Sequence, residues 1–231
     1  MKTFIENNQT AVKAVILFVF IILNTLIWLF ASQVDLLSVH WTSRLVVLVI
    51  SEFLWSASLL LFIIHYDPRI NLLLNIIPVV LALITLFPIL LTILFAILGI
   101  TNIIVMIPKF KLENYYGLVC FSFLNSIAPV ISFCYLDNQY LESSVLVNVG
   151  ILFCLYCLFF VPFFHHRLES KLNFIFILIF AGFLLANFSI VKCIILIALV
   201  LISYGIQIFS EKETPENCLL SFIIIGLAAF I

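Results

Sequence analysis

From Ile70 to Ile107 the chain runs for 38 residues of almost unbroken apolar sequence. As one helix this run would measure about 57 Å at ~1.5 Å per residue, nearly twice a hydrocarbon core of ~30 Å. Two spans joined by a tight turn near Phe87–Pro88 fit better, because proline has no amide hydrogen to donate and breaks a helix readily. A second 38-residue run, Leu172 to Phe209, carries Asn187 and Lys192 near its middle and invites the same division. Four further runs have the length of single spans: Val12 to Ala31, Leu45 to Ile64, Tyr116 to Leu136 and Ser144 to Phe164. The last run, CLLSFIIIGLAAFI, has 14 residues and reads as a short ninth span, a re-entrant piece or the remnant of a longer one.

These runs predict an all-α protein, a polytopic transmembrane helical bundle of about eight spans plus a short C-terminal apolar segment, with residues 1–231 as one membrane domain. Composition agrees. The chain is 66% hydrophobic and only 9% charged, against roughly a quarter charged in soluble globular chains. No polar stretch is long enough for a soluble domain, and no basic block suggests nucleic acid. The six cysteines, five of them inside apolar runs, are distributed like small buried hydrophobes rather than a disulfide framework. The N-terminal apolar stretch exceeds a signal-peptide core and reads as the first span.

Charge placement gives an orientation. With both long runs divided, Lys2, Lys13, Arg69, Lys109, Lys111, Arg167, Lys171 and Lys212 fall on one side, and only Arg44 and Lys192 on the other. Basic residues in short loops favour the cytoplasm, so the N-terminus is expected there. Trp41, in the polar connection after the first run, suits an interfacial anchor.

Within this greasy chain a few polar groups stand out. Glu52, in VISEFLWSAS, lies about a third of the way into the second run. An intramembrane carboxylate is expensive, faces protein or water, and by default marks a functional position. The bland alternatives are a structural glutamic acid bonded to a neighbouring helix, or a group at headgroup level. Ser56 follows one turn later on the same face. In GLVCFSFLNSIAPVIS, residues Ser122, Asn125 and Ser126 form a small polar stripe, and Pro129 frees the carbonyl one turn upstream. Such stripes line transporter cavities or simply bond helices together. Glu52, Ser56, Ser122, Asn125 and Ser126 are therefore the cavity-lining candidates, with Asn125 and Ser126 as expected partners of Glu52.

A competing reading is a lipid-modifying enzyme at the cytoplasmic boundary. Its candidates are His65 and Asp67 in HYDPR, with His165, His166 and Arg167 in FFHHRLESK. Adjacent histidines diverge on a helix and make a poor chelate, so no metal site is expected. The CLYC pair, Cys154 and Cys157, lacks the basic or capping neighbour that activates a redox thiol. No phosphate loop, zinc-protease or serine-hydrolase motif occurs, and no cofactor is implied. Transport, or service as a membrane subunit of a larger assembly, is the favoured expectation, with membrane lipids and other membrane subunits as partners.

Overall fold

The computed structural model describes residues 18–35, 40–63, 68–164, 170–209 and 215–231. They form helices joined by short turns, with no strand among the described residues. The helices are α1 (Phe18–Ala31), α2 (Ser43–Ile63), α3 (Pro68–Ile84), α4 (Ile89–Val105), α5 (Tyr115–Asn138), α6 (Ser143–Phe164), α7 (Ser170–Asn187), α8 (Ile190–Phe209) and α9 (Pro215–Phe230). Three of them, α2, α5 and α6, are long and apolar enough to cross a membrane. The expectation of about eight spans is thus met by length and composition in three helices; α3 and α4 have 17 residues each.

Both long runs divide. The first breaks at Thr85–Pro88, and the second between Asn187 and Ile190. The first break is a Schellman turn. The Phe87 amide donates to the Ala82 carbonyl at 3.0 Å and the Leu86 amide to Leu83 at 3.3 Å, with Leu86 left-handed at φ 52°. Pro88 then prevents continuation and opens α4. Pro78 and Pro129 lie inside α3 and α5 without ending them. At the start of α5, the Asn114 side chain caps the Gly117 amide at 3.0 Å. The C-terminal apolar segment is an ordinary helix, α9, with Phe222 fully buried.

The helices close into two four-membered rings. Helix α2 packs on α3 and α5, while α4 bridges α3 and α5. In the second ring α6 packs on α7 and α9, and α8 bridges those two. Contact between α5 and α6 joins the rings. Helix α1 sits where α2, α6 and α9 meet: Asn24 bonds Ser56 of α2, Asn148 of α6 donates to the Ala31 carbonyl, and Ile27 lies against Gly226 of α9. Aromatic rings fill the seam. Phe121 stacks near Phe62, Phe160 and Phe164, and Tyr156 lies 4.7 Å from Phe222. Outward-facing positions on α3, α4, α7 and α8 are mostly Ile, Leu, Val and Phe.

Candidate polar site in the helix interior

Two polar centres lie inside this apolar fabric. The first occupies the middle of the α2–α5 ring, and every helix of the ring contributes. Asn75 of α3 donates its side-chain amide to Ser58 of α2 at 2.7 Å and to the Asn71 carbonyl at 2.8 Å. Asn102 of α4 donates to the Asn75 Oδ1 at 3.3 Å. Asn125 of α5 donates to the Asn102 Oδ1 at 2.9 Å and to its own helix at Phe121. Asn71, one turn before Asn75, also reaches the Met106 thioether. All these asparagines are buried, and their amides satisfy one another, as buried polar groups must. Close approach makes the ladder possible: a Cβ on Gly99 would stand 3.0 Å from the Asn75 carbonyl oxygen, so α4 presses its backbone onto α3 there.

The second centre lies where α1, α2 and α6 converge. The Tyr156 hydroxyl donates to Asn24 Oδ1 at 3.0 Å. The Asn24 amide donates to Ser56 Oγ at 3.0 Å, and Ser56 donates to the Ile21 carbonyl at 3.2 Å. The Trp28 indole lies beside the Tyr156 hydroxyl, and Glu52 lies within electrostatic range of that phenol. Glu52 is completely buried, and neither carboxyl oxygen has a hydrogen-bond partner among the described residues. Among the described residues the Trp55 indole N–H, one turn along α2, has no hydrogen-bond partner either, while Ser122 of α5 sits beside Cys157. A buried polar group without a partner costs about 1–3 kcal/mol, more when charged.

The sequence-derived candidates are thereby sorted. Ser56 joins the second centre and Asn125 the first. Ser126 donates to the Phe123 carbonyl of its own helix at 2.9 Å. Asn125 therefore faces α4 rather than Glu52, and the expected Glu52–Asn125 and Glu52–Ser126 bonds are not made; one helical face cannot serve both neighbours. Asn24, Asn71, Asn75, Asn102 and Tyr156 belong to these two polar centres but were passed over by sequence reasoning. A signal was available in Asn71, Asn75 and Asn102, polar amides inside a run otherwise apolar, the first two at one-turn spacing. Cys154 and Cys157 are buried free thiols. His65, Asp67, His165, His166 and Arg167 lie outside the described residues. No cluster able to hold a metal ion occurs among the described residues. Comparison with protein families, curated proteins and solved structures finds no match.

Proposed function

We propose that the chain is a multi-pass integral membrane protein, with its N-terminus cytoplasmic, in which Glu52 carries a proton or binds a cation during transport. It acts alone or as a membrane subunit of a larger assembly. The observation that carries this reading is the fully buried Glu52 carboxyl, neither oxygen of which has a hydrogen-bond partner among the described residues. A purely structural glutamic acid would be expected to bond a neighbouring helix, as the asparagine ladder does. An ionisable group kept inside the bilayer without such a bond is best explained by a transferable ligand.

Support for the multi-pass arrangement comes from several directions. At 17 residues, α3 and α4 reach the lower limit of a spanning helix. Apolar side chains cover the outside of α3, α4, α7 and α8, as lipid contact requires. The eight-to-two division of basic residues follows from alternate crossings.

The test is reconstitution into proteoliposomes with an entrapped pH-sensitive dye and an imposed potassium diffusion potential. Wild type should pass protons or the coupled cation. Glu52→Gln keeps the neutral shape but removes titration, so it should fold and lose the flux. Full flux in both Glu52→Gln and Glu52→Leu would defeat the reading. Flux in Gln with misassembly confined to Leu would make Glu52 structural.

A further inference from the structure

At the end of the bundle holding the start of α2, a groove of about 520 Å³ is lined by Thr42, Ser43, Arg44, Pro88, Tyr135, Leu136 and Gln139. Three separate elements build it: the first turn of α2, the α3–α4 turn and the last turn of α5. Among the described residues that line it, Arg44 is the one cationic side chain. Its Nε donates to the Thr85 carbonyl at 3.4 Å, which ties the guanidinium stem to the α3–α4 turn. Asp137, on the same last turn of α5, is not part of the lining. The backbone amides of Ser43 and Arg44 open α2 and have no acceptor within the helix, while Thr42 Oγ1 takes the Leu45 amide at 3.3 Å. Tyr135 and Gln139 add a phenol and a carboxamide to the opposite wall.

The groove is amphipathic in its setting. Exposed Leu86, Ile89 and Leu90 lie within two residues of Pro88 in its lining, and exposed Trp41 precedes Thr42. Charge and apolar surface thus meet where a lipid headgroup meets its acyl chains. Arg44 is also one of only two basic residues on a face that basic residues otherwise avoid. We propose that this groove binds the phosphate of an anionic phospholipid, with Arg44 as the anchor and the aliphatic flank receiving the chains. A guanidinium suits that task because its planar fork engages phosphate oxygens in pairs. A choline headgroup is served poorly, since the lining offers no anionic partner for its ammonium.

The inference rests on the membrane-spanning reading, and the experiment separates the two. The full chain is reconstituted in vesicles mixing phosphatidylcholine with phosphatidylglycerol, either one carrying brominated chains. Tryptophan quenching then gives relative lipid binding, with Trp41 beside the groove as reporter. Wild type should prefer phosphatidylglycerol by roughly five-fold, the scale of one partly solvated charge-assisted pair. Arg44→Gln should abolish the preference, and Arg44→Lys should keep part of it. Equal preference in wild type and Arg44→Gln overturns the site. Loss of the preference to excess inorganic phosphate at constant ionic strength would assign the groove to a free anion and overturn the lipid. Failure of wild type to enter vesicles at all, removed by alkaline carbonate, defeats the spanning reading instead.

Discussion

The asparagine ladder makes a quantitative claim about how the first ring is held together. Asn102 and Asn125 share one good bond, at 2.9 Å, and a second at the limit of 3.5 Å. Interhelical side-chain bonds inside membrane bundles contribute about 0.6 kcal/mol on average and up to about 1.7. The coupling between the two residues should therefore be about 1 kcal/mol. Each single alanine variant costs more than this, because Asn102→Ala also takes the donor from Asn75 Oδ1 and leaves buried groups unpaired. Adding about 1–3 kcal/mol for that loss gives about 2–4 kcal/mol for Asn102→Ala. The double variant should then be less damaging than the sum of the two by the coupling energy. Thermal or denaturant unfolding in a mild detergent, followed by far-ultraviolet circular dichroism, measures all four corners of the cycle. Strict additivity, within about 0.3–0.5 kcal/mol, would refute the ladder as a connected unit.

Two other substitutions probe the turns. Leu86 holds the left-handed position of the Schellman turn, where glycine is favoured, and its side chain is exposed; Leu86→Gly should stabilise by about 1 kcal/mol, and Leu86→Val should destabilise, in the same unfolding assay. A Cβ on Gly117 would fall 2.0 Å from the Leu112 carbonyl oxygen, a backbone atom that cannot swing aside. Gly117→Ala should displace the turn before α5 and cost about 1–3 kcal/mol, read as a lower midpoint; an unchanged midpoint would contradict the packing there.

What the sequence revealed follows from which forces act locally. The breaks at Pro88 and Asn187 were legible because backbone chemistry and the thickness of a bilayer both act on a single run. Pro129, expected to free a carbonyl within its span, does lie inside α5, and Pro78 lies inside α3 without ending it. Glu52 was legible as an anomaly because a charge in hydrocarbon is costly wherever the run packs. Its surroundings were not. Asn24 and Tyr156 are 132 residues apart, and only the docking of α1 against α6 brings them together. The orientation of Asn125 towards Asn102 depends on α5 lying against α4 in a closed ring, a choice that helical periodicity within α5 does not make.

The central claim is that Glu52 is an exchangeable group inside the bundle and not fixed cement. Infrared spectroscopy of the reconstituted protein tests this most directly, as the difference between wild type and Glu52→Gln before and after transfer to deuterated buffer. The account predicts a carboxylic-acid carbonyl band, present in wild type and missing in Glu52→Gln, that shifts promptly in deuterium oxide although the side chain is wholly buried. An acid band that never shifts while the protein stays folded, or no band assignable to Glu52, would contradict it.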